Sequence, residues 1–531
     1  MTLTATSPLK QTESAPEIQE KTPAAVQRPN RRAVMVSAVL TQLMIVLDLT
    51  IIAIALPHMQ EDLGMTVSQS PWTVTGYSLA FGGLVLFGGR LCAVVGIRRS
   101  YQVGLIGFGI ASLAAGMATS FPVLLAARVA QGCFGALLAP TSQSLLNVTF
   151  TERTERERVF AIFGATGGLG AAVGLLVGGA LTDWFSWRWA LYINILLAAA
   201  ALLIGQRSLP PADQRDRDSR ITDDLSGLVL GCGACFSAVY GLDRAQQTSW
   251  TSTSTVSWLA LGGIAAALFV VRERFANRPV LPLSMMALPV RAASYATQFV
   301  VGAAQMGAII YLTYYMQNHF GYSPLKSGVV FLPMVLALIA TAIPAGRIIV
   351  PRLGARGTLP LGLAVLAGSF LIFSRMTTES TYEHVALPGL IVFGMGLGLT
   401  MPVTFNSGTR GVDAKRTGLA SAILSAAQQI GGSFGVALMT SYATQHAQDY
   451  VTDHAAGVRA EAMEAMMRAQ ALPQSPTGKQ IIETLKAQLV DRAQIEAYSG
   501  GFTMMTWLLA GAATVLVACG IGLSLRRRRR R

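Results

Sequence analysis

Charge is what this sequence has least of. Only 13% of its 531 residues are Asp, Glu, Lys or Arg, against roughly 25% in a soluble globular domain. With 52% hydrophobic residues, the chain has too little polar surface to cover a water-soluble fold of this length, and the composition points to lipid. Cysteine and histidine are nearly as scarce, at five each. Five scattered cysteines do not make a disulfide framework. Cys232 and Cys235 have CxxC spacing, but they sit in an apolar helical run with no second Cys/His pair, so they read as packing residues rather than a redox or zinc motif. The histidines show no H-E-x-x-H spacing, and no Walker sequence occurs. A metal site, a cofactor, direct use of ATP and an enzymatic role therefore find no support. The glycine run from Gly164 to Gly174 follows no strand pattern and misses the dinucleotide spacing, which excludes a nucleotide loop. Lysine is rare beside arginine, as in a GC-rich bacterial genome.

Glycine is abundant, at 53 residues, and lies mostly inside apolar runs. A soluble helix loses about 1 kcal/mol per Gly relative to Ala; membrane helices offset this by close approach. The formal charge of +14 falls in short basic clusters between apolar runs, which argues for membrane topology and against nucleic acid. Apolar runs of about twenty residues recur near 33–57, 72–95, 100–120, 122–148, 159–182, 187–206, 225–243, 254–271, 291–318, 324–347, 357–376, 385–406, 417–443 and 499–524. The fold class is an all-α polytopic membrane protein. Residues 1–32, rich in Pro, Thr, Glu and Gln, read as a disordered tail, and the run that follows is too long for a cleavable signal peptide.

The basic clusters alternate along the chain: Arg31 and Arg32; Arg98 and Arg99; Arg153, Arg156 and Arg158; 207–220; 272–291; Arg347, Arg352 and Arg356; 410–416; and Arg526 to Arg531. The positive-inside rule places these segments, and both termini, in the cytoplasm. Residues 207–224 and 272–290 then form cytoplasmic linkers, 444–498 a helix-prone outer loop, and 525–531 a poly-Arg tail suited to anionic lipid. Asn147, Val148 and Thr149 have the form of a glycosylation sequon but fall at a cytoplasmic helix end, and are discounted.

Ionisable residues inside spans are costly and mark function. Asp48 is the one carboxylate deep in a span, roughly 13 Å below the outer end of its helix. Arg128 lies about 9 Å below the same face, so the two can meet. Two roles stand open for them. An Asp in a poorly solvated cavity can load and release a proton; a static Asp–Arg pair can simply fix helix packing.

These residues resemble the fourteen-span drug/proton antiporters of the major facilitator superfamily, the QacA and EmrB type, over nearly the whole chain. Leu47, Asp48, Thr50, Leu56 and Pro57 resemble that family's first-span motif, and the run from Pro71 through Tyr77 the start of its second span. Arg128, Gln131, Gly132, Gly135 and Pro140 match the fourth-span motif, Trp187 to Asn194 the start of the sixth span, and Gly418 to Ser421 with Gln428 to Gly432 the penultimate one. The resemblance implies a major facilitator fold: six-helix bundles at 33–206 and 291–524, joined by two additional linker helices at 225–271. It also implies a substrate cavity between the bundles, proton coupling at Asp48 assisted by Arg128, and a hinge or proton seal at Gly174, Gly178 and Gly179.

Two departures from the family pattern stand out. In the loop motif Gly89, Arg90, Gly96, Arg98 and Arg99 are kept, but Ala93 replaces the usual Asp that would lock one conformation. In the fifth span Leu175 stands where Pro is usual. Polar residues in apolar runs that could face a cavity or bond another helix are Gln42, Tyr77, Gln143, Asn194, Gln298, Gln305, Tyr311, Tyr314 and Asn406. The leading expectation is a monomeric, proton-coupled exporter of hydrophobic or cationic drugs, antibiotics or toxic compounds across the bacterial plasma membrane. Export of an endogenous metabolite, siderophore or lipid is a second reading, and a non-transporting membrane receptor or scaffold a third.

Overall fold

An apolar segment in lipid must satisfy every backbone N–H and C=O internally, so helix is the form open to an isolated span. The computed structural model describes residues 30–66, 69, 72–206, 208–209, 224–276, 279, 285–286, 288–412, 417–468 and 475–528, and among them there is no strand. Helices α1 (Arg31–Asp62), α2 (Trp72–Val95), α3 (Ile97–Gly116), α4 (Phe121–Thr149), α5 (Arg153–Trp184) and α6 (Trp187–Gly205) pack into one bundle. Helices α7 (Leu225–Gln247) and α8 (Thr253–Phe275) form a pair whose first member lies against α2 and against α14 (Thr417–Arg468). The second bundle comprises α9 (Pro289–Tyr314), α10 (Pro324–Val330), α11 (Leu332–Pro344), α12 (Val350–Phe373), α13 (Leu387–Thr409), α14 and α15 (Pro476–Arg528).

Eleven stretches among the described residues are long and apolar enough to cross a membrane. One of them, Leu325–Phe373, is broken at Gly354 (φ 64°, ψ 174°) and supplies two crossings. Helices α3 and α5, of 20 and 32 residues, carry charge in their first turns and pack inside the first bundle. The fourteen crossings expected from the sequence count α3, α5 and both sides of the break at Gly354 beside the other stretches of the described residues. The face bearing Arg31, Arg98 and Arg99 is called the basic face below.

Local chemistry sets the boundaries. Between α2 and α3 the chain turns on Gly96, whose φ of 96° disfavours any side chain. The Asn30 side chain accepts from the Ala33 amide and starts α1. At the opposite end of α1, Asp62 accepts from Arg188 Nη1 at 2.5 Å and Trp187 Nε1 at 3.0 Å. These bonds hold its carboxyl below the usual carboxylate range, Arg188 contributing most. Small residues bring α1 and α5 together: a β-carbon on Gly174 would lie 1.9 Å from Thr50 Oγ1, and one on Gly178 would lie 3.0 Å from Ile51.

Three expectations change. The segment 444–498, expected to be a helix-prone outer loop, is helical on both sides of 469–474, which lie outside the described residues: α14 runs on to Arg468, α15 begins at Pro476, and the two pack on each other. Hydropathy falls at 444, but helix formation does not require lipid once two helices pack on each other. Arg31 and Arg32 belong to α1 rather than to the tail, of which residues 1–29 lie outside the described residues. The C-terminal basic run is helical through Arg528, with 529–531 outside the described residues, as is most of the 207–224 linker.

Candidate functional site

Asp48 and Arg128 do meet. The Arg128 Nη1 donates to Asp48 Oδ2 at 2.6 Å, with Asp48 1% exposed and Arg128 fully buried. The other carboxylate oxygen accepts from Asn194 Nδ2 at 2.7 Å and from Gln131 Nε2 at 3.3 Å. The guanidinium makes further contacts of its own: Nε to the Thr73 carbonyl at 3.0 Å, Nη1 to Gln131 Oε1 at 2.8 Å, and the Tyr77 ring at 4.6 Å. Gln131 Nε2 also donates to Ser112 Oγ at 2.7 Å. Five helices of the first bundle, α1, α2, α3, α4 and α6, thus converge on one ion pair.

This geometry answers a physical demand. Two charges withdrawn from water need close approach and filled hydrogen-bond positions to offset desolvation. Asn194 and Tyr77, polar residues that could face a cavity or bond another helix, serve the ion pair. Gly132 makes the cluster possible by letting α4 approach α2; a β-carbon there would lie 2.4 Å from the Tyr77 carbonyl.

A second constellation joins the bundles near the basic face. Gln143 Nε2 on α4 donates to Ser425 Oγ on α14 at 3.2 Å, and Thr409 Oγ1 on α13 donates to Asn147 Oδ1 at 3.2 Å. Beside them Phe405 of α13 stacks on Phe160 of α5 at 6.4 Å and meets Phe163 edge-on at 6.1 Å. Of these residues the sequence marks only Gln143 as a site residue. Asn147 drew notice only as part of a sequon, and the spacing of Phe160 and Phe163 is the signal that could have pointed to the aromatic contact.

The remaining expected residues divide. Gln298 Oε1 accepts from Thr404 Oγ1 at 2.7 Å, Gln305 Oε1 from Gln428 Nε2 at 3.4 Å, and Tyr311 donates to Thr440 at 3.0 Å, all as helix–helix bonds of the second bundle. Gln42 and Asn406 are partly buried, whereas Tyr314 is 51% exposed and joins neither cluster. In the loop motif Gly89 is buried on α2, Arg90 is partly buried, Arg98 donates to the Gln206 carbonyl at 3.3 Å, and Arg99 is exposed. Pro140 is buried within α4 and Gly179 within α5, while the side chains of Pro57 and Leu175 lie outside the described residues.

Comparison with known proteins agrees with this architecture. The solved human organic anion transporter MFSD10 superposes with a TM-score of 0.55 over 91% of this chain and 100% of its own, at 14% identity. The puromycin resistance protein pur8 of Streptomyces alboniger is 40% identical over 81% of this chain and 86% of its own length. The cephamycin export protein CmcT of Amycolatopsis lactamdurans is 33% identical over 76% and 83%. The tetracenomycin C resistance and export protein of Streptomyces glaucescens is 32% identical over 79% and 77%. The Major Facilitator Superfamily profile matches residues 38–436. With that match added to two helical bundles and an accessory helix pair, the chain belongs to the Major Facilitator Superfamily.

Proposed function

We propose that this protein is a proton-coupled efflux transporter that exports antibiotics or related toxic, amphipathic small molecules across the bacterial plasma membrane. The basic face and both termini are cytoplasmic in this reading, the protein works as a monomer, and the proton gradient replaces any cofactor. Arginines at the C-terminal end of α15 contact anionic lipid. The relatives named for resistance and export support the substrate class.

One observation carries the coupling mechanism: Arg128 has partners besides Asp48. When a proton reaches Asp48, the guanidinium keeps the Thr73 carbonyl, Gln131 and the Tyr77 ring. The pair can therefore separate with these hydrogen bonds of Arg128 kept, although its charge loses its counter-ion, and protonation is converted into a repacking of α1 against α4. The bundles touch at the basic face and also nearer the opposite face, where Gly328 of α10 lies against Leu176 of α5; in alternating access these contacts open in turn, the opposite ones to release drug outward, and proton uptake at Asp48 favours return. Asp48→Asn tests this in inverted vesicles. The expected result is loss of substrate-induced proton release and of drug transport; transport and proton release at the wild-type level would overturn the coupling role.

A further inference from the structure

We propose that the amide and hydroxyl groups of Gln143, Asn406, Ser421 and Ser425, beside the Phe160–Phe163–Phe405 cluster, form a recognition site for uncharged, hydrogen-bonding aromatic compounds. This rests on the export reading above and names the class of substrate. Gln143 is 3% exposed, and its Oε1 has no hydrogen-bond partner although its Nε2 is bonded to Ser425. Asn406 Oδ1 and Ser421 Oγ are likewise buried without partners. Two bonds between bundles link their helices: Ser421 is one turn from Ser425, which bonds Gln143, and Asn406 is one turn from Thr409, which bonds Asn147, itself one turn from Gln143.

Buried polar groups are normally paired, so unpaired ones where two bundles close are groups awaiting a partner that arrives when the bundles part. Such a site meets a compound entering from the basic face, the loading side of an exporter. Within the apolar stretches of its helices the site also has no acidic side chain, and the nearest in sequence on α5 is Glu157, three residues before Phe160. Residues 121–149, 160–182, 387–409 and 417–443, which make up α4, α13 and the membrane portions of α5 and α14, contain no Asp or Glu. Asp48 is already paired with Arg128, and Asp243 lies on the accessory helix α7, bonded to Thr75 at 3.0 Å. A permanent cation there would meet ring faces but no counter-charge, whereas hydroxyl or amide groups would have their desolvation offset by hydrogen bonds to the unpaired Gln143, Asn406 and Ser421 atoms.

The test is energised transport in inverted vesicles with two sets of aromatic probes: tetracenomycin C, an uncharged hydroxylated polycycle, and the permanent cations ethidium and tetraphenylphosphonium. Wild-type protein should move tetracenomycin C and leave both cations at background. Gln143→Leu with Asn406→Leu should lower tetracenomycin C transport about tenfold or more, because a site built to bond a hydroxyl loses that discrimination. Gln143→Glu, which supplies the missing charge, should gain ethidium transport; it keeps the proposal testable should the leucine variant not fold. Wild-type export of the cations at rates equal to tetracenomycin C would overturn the proposal while leaving the export reading intact. So would unchanged tetracenomycin C transport in a folded leucine variant. Transport of none of the probes, with no drug hypersensitivity in a deletion strain, would overturn the export reading itself.

Discussion

Arg128 shows how one side chain can hold a bundle together. It links α4 to Asp48 on α1, Thr73 and Tyr77 on α2, and, through Gln131, Ser112 on α3. Removing the carboxylate alone leaves a buried, uncompensated cation, which costs about 3–5 kcal/mol. Asp48→Asn is therefore expected to lower the thermal unfolding midpoint in detergent, and Asp48→Asn with Arg128→Gln to recover part of the loss. No recovery in the double variant would show that the charge was not the source. Thr50 and Gly174 give a steric counterpart. Gly174→Ala places a methyl group against Thr50 Oγ1 and should destabilise by about 1–3 kcal/mol, with Thr50→Ala restoring stability when the two are combined. The sequence revealed this residue pair only in part: it marked Gly174 as a hinge or seal on α5, but not which residue of α1 would lie against it.

At the scale of elements, helix ends explain both the successes and the misses of sequence reading. α2 is found at 72–95 by its apolar length alone, since lipid offers its backbone no alternative partners. α14 and α15 are misread as ending near the membrane surface because hydropathy reports lipid exposure, whereas their helicity beyond it comes from mutual packing. The clasp of Asp62 with Arg188 and Trp187 ties the far end of α1 to the start of α6. Because the Asp62 carboxyl is held below its ordinary value of 3.8, the clasp is fully in place above that value and is lost as pH falls through the lower, folded one. Between neutral pH and about 5 the thermal stabilities of wild type and Asp62→Asn should then differ by a constant amount, converging only in stronger acid. Convergence already at neutral pH would assign the contact no role.

For the whole molecule, the seam between bundles is what the sequence hides most completely. Asp48 and Arg128 were legible because charge in an apolar run is rare. Asn147, Thr409 and Ser425 were not, because small neutral polar residues are common in membrane helices and only the folded arrangement shows which of them face another bundle. Gln143 and Asn406 were visible as polar residues in spans, without any sign that they share a site. If the contact at Asn147 and Thr409 opens during transport, a disulfide between Asn147→Cys and Thr409→Cys should stop export on oxidation and restore it on reduction. Undiminished export by the cross-linked protein, checked by mass spectrometry of the linked peptide, would show that this seam stays closed throughout the cycle.

The uninterrupted course of α14 has a mechanical consequence. At 52 residues it is about 78 Å long, more than twice the roughly 30 Å hydrocarbon core, and its buried portion lies against α2, α4 and α9. A stiff rod gripped over its first half behaves as a pointer. Any tilt of the second bundle, too small to resolve among the packed helices, is enlarged at the far tip of the hairpin. A fluorophore pair there would therefore read the transport cycle from outside the membrane.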